Sequence, residues 1–192
     1  MSGQKTIILD KDGIDILQTP SEERVFEEQL ELIENIKGEL VEVGVYMGAT
    51  AKKISNRFPD RIVYAFDTFE GFLEKGSEKD GFANYNIGDL GEADLETVKK
   101  NLKDYPNIKL IKGDFPSSGS ILNDKKIAFA HIDVDMYNTT KNALKFLVPK
   151  MITGGIMIVH DYPAHSGVKL AVDEFEFKNL QVVGGRQGII KF

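Results

Sequence analysis

The sequence predicts an α/β fold: a doubly wound, mostly parallel sheet closed by a C-terminal antiparallel hairpin. Three observations predict it. Residues 126–132 and 154–159 are apolar runs of buried-strand type, and they end in Asp133-Val134-Asp135 and His160-Asp161-Tyr162. A strand covered on both faces is apolar almost throughout, and ligands sit beyond the carboxyl ends of parallel strands. Residues 39–67 read strand, glycine turn, helix, strand, ending in Asp67. That is half of a nucleotide-binding βαβ unit. The tail, Leu180-Gln181-Val182-Val183 and Gly188-Ile189-Ile190-Lys191-Phe192 around Gly184-Gly185, reads as the hairpin.

Composition bounds what such a fold can do. The chain has 192 residues, 42% hydrophobic and 28% charged, enough for one globular domain with a full core. A net charge of −6 repels phosphate backbones, so a nucleic-acid partner is disfavoured. The absence of cysteine excludes disulfides and thiol catalysis and fits a reducing compartment. No signal-type segment or membrane-length apolar run is present, so a cytoplasmic protein without a membrane partner is expected. A homodimer is the default expectation.

The elements follow in order. Residues 5–17 hold two apolar runs around Asp12-Gly13, a hairpin signal, and with the next helix they form an N-terminal unit, 1–37, packed on the core. Thr19-Pro20-Ser21-Glu22 is a capping box with proline at the first helical position. Phe26, Leu30 and Ile33 share one face of that helix, and Gly38 is expected to end it. The core domain, 38–192, opens with the 39–67 unit. Thr68 to Glu92 is long, polar and rich in glycine and aromatics, including Phe82 and Tyr85, and is expected to be a lid. A helix over 93–102, a strand over 107–112 and a short turn around 117–122 follow. After the 126–132 strand, Asn138 or Thr139 is expected to cap a helix reaching Leu147. After the next strand, 166–177 reads as a helix with Val168, Val172 and Phe175 inward.

The chemistry-bearing residues lie at the strand ends. Asp133, Asp135, His160 and Asp161 would form an oxygen-rich cluster with one imidazole, the composition of a divalent-metal site. In the Gly44-Val45-Tyr46-Met47-Gly48 turn, one glycine permits the tight turn and the other brings backbone close to a ligand at a helix N-terminus. Asp67 can hold two ribose hydroxyls, and Asp114 and Phe115 lie near a bound base. Gly-x-x-x-Gly lacks the full pyrophosphate fingerprint. Glu42 suits an amine or sulfonium better than a phosphate, so S-adenosylmethionine is favoured over NAD. A parallel sheet closed by an antiparallel hairpin is also the methyltransferase variant of this fold.

The motifs Val41-Glu42-Val43-Gly44 through Thr50, Phe66-Asp67-Thr68-Phe69-Glu70-Gly71-Phe72, Gly113-Asp114-Phe115, His131 through Tyr137, and Gly154 through Tyr162 occur in this order. The set resembles the macrocin O-methyltransferase (TylF-like) family of metal-dependent sugar O-methyltransferases of natural-product biosynthesis. The resemblance implies a Rossmann-like class I methyltransferase fold with S-adenosyl-L-methionine as cofactor. It places the cofactor against Glu42, Gly44, Tyr46, Met47, Gly48, Thr50, Asp67, Thr68, Gly71, Phe72, Asp114, Phe115 and Asp133. It implies a divalent metal, Mg²⁺ or Mn²⁺, on Asp133, His160 and Asp161, and Asp135 as general base. The chain departs from the family's acid pair at His160, whose imidazole leans toward Mn²⁺, Fe²⁺ or Zn²⁺ or makes it a base. The implied reaction is methyl transfer to a hydroxyl of a sugar or related vicinal diol.

Other readings stand beside this one. A catechol-type O-methyltransferase shares the acid–metal logic. A degenerate cofactor-binding module would bind cofactor without metal, and a dinucleotide oxidoreductase would bind NAD(H). Asp135 has a plain alternative as helix cap, His160 as a structural histidine, and His131 as a core residue. His165 is either a substrate contact or solvated, and Tyr137 and Tyr162 are either pocket wall or packing.

Overall fold

The protein is described by a computed structural model covering residues 8–9, 14–16, 19–81 and 84–192. A short hairpin pairs β1 (Ile8–Leu9) antiparallel with β2 (Asp15–Ile16). The expected Asp12-Gly13 turn and Phe82 lie outside the described residues. α1 (Pro20–Leu32), β3 (Glu39–Val43), α2 (Ala49–Arg57), β4 (Val63–Asp67), α3 (Leu95–Asn101) and β5 (Ile108–Lys112) follow. The chain then runs through β6 (Ile127–Ile132), α4 (Tyr137–Leu147), β7 (Met151–His160), α5 (Ser166–Asp173), β8 (Leu180–Val183) and β9 (Gln187–Lys191).

Seven strands form one sheet in the order β5-β4-β3-β6-β7-β9-β8. The first five are parallel, and β9 inserts antiparallel between β7 and β8. This is the doubly wound sheet with the closing hairpin. Strand order reverses at β3, between β4 and β6, so the crevice beyond β3 is the natural ligand position.

Alternate residues of the central strands feed two hydrophobic clusters. Val41, Val43, Ala130, Ile132 and Met157 pack with Ala143 and Leu144 of α4 and with Val168 and Val172 of α5. Leu40, Phe129, Ile156 and Ile158 pack with Phe26 and Leu30 of α1 and with Ile54 of α2. Phe26, Leu30 and Ile33 are fully buried; each is worth about 1.5–3 kcal/mol against exposure.

The local signals hold at α1. The Glu22 N–H donates to Thr19 Oγ1 (3.4 Å) and the Thr19 N–H to Glu22 Oε2 (2.6 Å). The helix stops at Leu32, short of Gly38. Gly38 instead opens β3, where a Cβ would lie 2.8 Å from the Ala128 nitrogen. Two other expectations are corrected. α5 ends at Asp173, not at residue 177, although Phe175 still packs on the core. Neither Asn138 nor Thr139 caps α4: its N-cap position is Met136, and the Thr139 hydroxyl donates to the Val134 and Met136 carbonyls.

Candidate active site

The β3–α2 turn is built by close approach. Gly44 has φ +90°, and a Cβ there would lie 1.8 Å from the Asp133 carbonyl oxygen. Only glycine allows the two strand ends to touch. The Asp133 N–H donates to the Val43 carbonyl at 2.8 Å, locking that contact.

Asp67, at the end of β4, closes the same turn. Its Oδ2 accepts the N–H groups of Val45 (2.7 Å) and Tyr46 (3.1 Å). Its Oδ1 accepts the Phe69 N–H (2.8 Å) and the Thr68 hydroxyl (3.4 Å). The carboxylate therefore organises backbone while facing the cavity. Asp67→Ala would free three amides at the candidate cofactor site. It is expected to weaken S-adenosylhomocysteine by roughly 1–3 kcal/mol, read by calorimetry; unchanged affinity would move the ribose elsewhere.

A cavity of about 800 Å³ opens over these strand ends, large enough for a nucleoside cofactor and a small acceptor. Gly44, Tyr46, Met47 and Thr50 line it from the turn, Thr68, Gly71 and Phe72 from the segment after β4, and Asp114 and Phe115 from the end of β5. Asp133, Asp135, His160 and Asp161 line its floor with His165 and Arg186. Two predicted cofactor residues do not line it. Glu42 is fully buried on the α1 face, where its Oε1 lies 3.0 Å from His131 Nδ1. Burial holds the Glu42 carboxyl above its ordinary range, and His131 only partly offsets this. Gly48 turns away, and a Cβ there would press on Leu102.

The polar floor is strained and charged. Tyr46, Leu90, Asp135 and Asp161 line the cavity with φ between 48° and 67°. Such backbone persists only where its surroundings over-determine it, and it clusters at functional sites. His160 is 4% exposed. Its Nδ1 lies 3.3 Å from Asp133 Oδ1 and 3.4 Å from Asp161 Oδ1, yet neither ring nitrogen makes a hydrogen bond. An imidazole facing two carboxylates without hydrogen-bond geometry is arranged as a ligand set is arranged. Ligand atoms of Asp133, His160 and Asp161 lie within 4.8 Å of one another, as do those of Asp135, Asp161 and His165. This donor set fits a divalent cation.

The charges are strongly coupled. Burial would lower the His160 pKa, but Asp133 and Asp161 override it and raise it to about 11. Burial, then the charges of Asp133 and Asp161, push Asp135 up to about 8. Burial opposes ionisation of Asp161, but His160, His165 and Arg186 hold it well below the usual carboxylate range. Three acids crowded at one point call for a cation, and Arg186 supplies one by bonding Asp161 Oδ1.

The plain alternatives divide. Asp135 does not cap α4 through its own side chain. His131 is a core residue paired with Glu42. The Tyr137 hydroxyl donates to Glu174 (2.7 Å) and the Tyr162 hydroxyl to Asp173 (2.9 Å), so both pack and neither lines the cavity. His165 does line it, 3.0 Å from the Tyr85 hydroxyl. Arg186 carried no role in the sequence, and Tyr85 only that of an aromatic in the expected lid. Arg186 follows a glycine pair in a hairpin turn, and only the insertion of β9 beside β7 brings it to His160.

The macrocin-O-methyltransferase (TylF) family profile matches residues 23–183. A demethyldecarbamoylnovobiocin O-methyltransferase of Streptomyces niveus is 28% identical over 75% of this chain and 60% of its own length. An 8-demethyl-8-(2,3-dimethoxy-alpha-L-rhamnosyl)-tetracenomycin-C 4'-O-methyltransferase of Streptomyces olivaceus is 26% identical over 68% of this chain and 55% of its own. The chain thus spans little more than half the length of these curated relatives. Among solved structures, the O-methyltransferase NovP superposes with a TM-score of 0.79 at 23% identity, over 92% of this chain and 81% of that one. The calicheamicin methyltransferase CalS11 gives 0.70 at 19% identity, over 89% and 78%. Both likenesses show the shared Rossmann-like methyltransferase fold. With the family profile covering most of the chain, the protein belongs to the macrocin-O-methyltransferase (TylF) family.

Proposed function

We propose that this protein is an S-adenosylmethionine-dependent O-methyltransferase acting on a hydroxyl of a sugar or related vicinal diol, with a divalent ion assisting. One observation carries this reading: the glycine turn and the Asp133–His160–Asp161 cluster meet in one cavity, through the Gly44–Asp133 contact. The family supports the reaction class; both curated relatives are named as O-methyltransferases, and the name of one gives a rhamnosyl-bearing tetracenomycin as its substrate.

The turn residues Gly44, Tyr46, Met47 and Thr50, with Asp67, Thr68, Gly71, Phe72, Asp114 and Phe115, would hold S-adenosylmethionine, which supplies an electrophilic methyl. Asp133, His160 and Asp161 would hold the ion, which would supply Lewis-acid chemistry that makes an acceptor hydroxyl more acidic. A cation on Asp133 and Asp161 would offset the charges that keep Asp135 protonated, and as a carboxylate Asp135 would take the hydroxyl proton. Its left-handed backbone (φ 60°) places the carboxyl on the cavity floor beside the ligand set. The walls would orient the acceptor toward the cofactor, and placement of that kind supplies much of the rate of a group transfer.

The cavity also restricts the acceptor. Asp67, Glu74, Asp89, Asp114, Asp133, Asp135 and Asp161 line it, against Arg186, itself bonded to Asp161, and the protonated His160. A neutral or amino-bearing sugar fits this field better than a phosphorylated one. Arg186 supports a second reading, in which its guanidinium serves as the fixed cation and the protein binds cofactor without metal.

Calorimetric titration tests both. S-Adenosylhomocysteine is expected to bind at micromolar concentration. Mn²⁺ is expected to bind in the same protein with net release of protons at pH 7, because His160 must be neutral to ligate. The measured enthalpy should therefore vary with the ionisation enthalpy of the buffer. No cofactor binding would remove the methyltransferase reading. Cofactor binding without Mn²⁺ or Mg²⁺ binding would select the metal-free one.

A further inference from the structure

We infer that Asp80 is a positioning residue that couples the segment after β4 to the two turns carrying the acidic floor. The inference rests on the proposed function only for its consequence in turnover; its geometry stands apart.

Asp80 is buried, 5% exposed, far from the strand ends in sequence. Its Oδ2 accepts both the Ser77 N–H and the Ser77 hydroxyl, each at 2.7 Å. Its Oδ1 accepts the Tyr137 N–H at 2.7 Å. Tyr137 is the first residue of α4, a helix that its own N-cap residue, Met136, leaves without a side-chain cap. A carboxylate on a helix's first amides satisfies an orphan donor and favours the dipole. The helix that begins two residues after Asp135 is thus capped from the segment after β4.

The third side of the contact is α5. A Cβ on Gly167 would lie 2.1 Å from Asp80 Oδ1 and 2.9 Å from the Tyr137 nitrogen. Gly167 stands two residues after His165, whose N–H donates to the Asp161 carbonyl at 2.9 Å. One buried carboxylate therefore touches the starts of both helices that follow the acidic turns. The same segment supplies cavity wall through Phe72, Glu74 and Tyr85. Seating the wall and fixing Asp135 are then one event, since the bond that caps α4 is made by the segment itself.

Hydrogen exchange measured peptide by peptide, with S-adenosylhomocysteine titrated in parallel, tests the coupling. In Asp80→Ala, amides in 134–140 should exchange at least tenfold faster, together with those in 70–79, although the former are remote in sequence. Gly167→Ala should reproduce this pattern by displacing the carboxylate from the other side. Asp80→Asn keeps one acceptor for the Tyr137 N–H, so protection in 134–140 should be largely retained while 70–79 loosens. S-Adenosylhomocysteine should still bind all three, more weakly by whatever the loosened Gly71 and Phe72 contribute, because Asp67 and the glycine turn are untouched. Loosening confined to 70–79 in Asp80→Ala, or a Gly167→Ala pattern unlike that of Asp80→Ala, would overturn the coupling and reduce Asp80 to a loop staple. Failure of the wild type to bind S-adenosylhomocysteine would remove the methyltransferase reading, while the exchange pattern would still decide the role of Asp80.

Discussion

Asp133→Ala is expected to abolish methyl transfer while barely changing cofactor affinity. Asp133 faces His160 Nδ1 at 3.3 Å and, half-buried, completes a cluster with the buried His160 and Asp161. Removing it takes away one member of the candidate ligand set and the carboxylate nearest to His160. Loss of metal-assisted stabilisation amounts to several kcal/mol, or about 10³-fold in rate. S-Adenosylhomocysteine affinity should stay within about threefold, since the charge-assisted bonds at Asp67 are separate. Turnover and calorimetry on the same preparation separate the two effects. Equal activity in metal-stripped wild type and Asp133→Ala would sink the metal mechanism. His160→Asp is the informative companion: exchanging imidazole for carboxylate should move the preferred ion from Mn²⁺ toward Mg²⁺.

The second large effect is expected at Gly44. A Cβ there would sit 1.8 Å from the Asp133 carbonyl oxygen, and φ is +90°. The two nearest atoms, the carbonyl oxygen and carbon of Asp133, are both backbone, so the strand ends themselves must separate. Left-handed backbone at a non-glycine residue costs about 1–2 kcal/mol, and forced overpacking about 1–3 kcal/mol more. Gly44→Ala should therefore destabilise the fold by roughly 2–5 kcal/mol, seen as a lower denaturant midpoint at unchanged slope. It should also weaken S-adenosylhomocysteine, because the amides of Val45 and Tyr46 move with the turn. A variant within about 0.5 kcal/mol of wild type, the range of neutral surface changes, would show that the turn relaxes without cost.

Both expectations concern the contact between β3 and β6, and the sequence shows why that contact was legible. Asp133 and Asp135 interrupt an apolar strand, and Gly44 follows another, so each announces itself within its own few residues. Glu42 was misplaced for a related reason. Alternation puts Glu42 and Val43 on opposite faces, but which face borders the ligand depends on where α1 lies. Here α1 covers the Glu42 face, and His131 from the neighbouring strand becomes its partner. The same limit applies at α4. Asn138 and Thr139 are sound local cap candidates, yet Asp80 takes the cap from 57 residues away.

What the sequence by itself determined is therefore the order of the elements, the family and the polar strand ends. These depend on period-two burial, turn glycines and capping chemistry, which act over a few neighbouring residues. Tertiary structure alone decided which of those residues meet. Insertion of β9 beside β7 carried Arg186 to Asp161, a bond between residues 25 positions apart. The helix covering one sheet face withdrew Glu42 from the cavity, and the seated segment after β4 made Asp80 the cap of α4. Hydrogen bonds and ion pairs of this kind depend on chain topology, and topology leaves no mark on the residues immediately beside them.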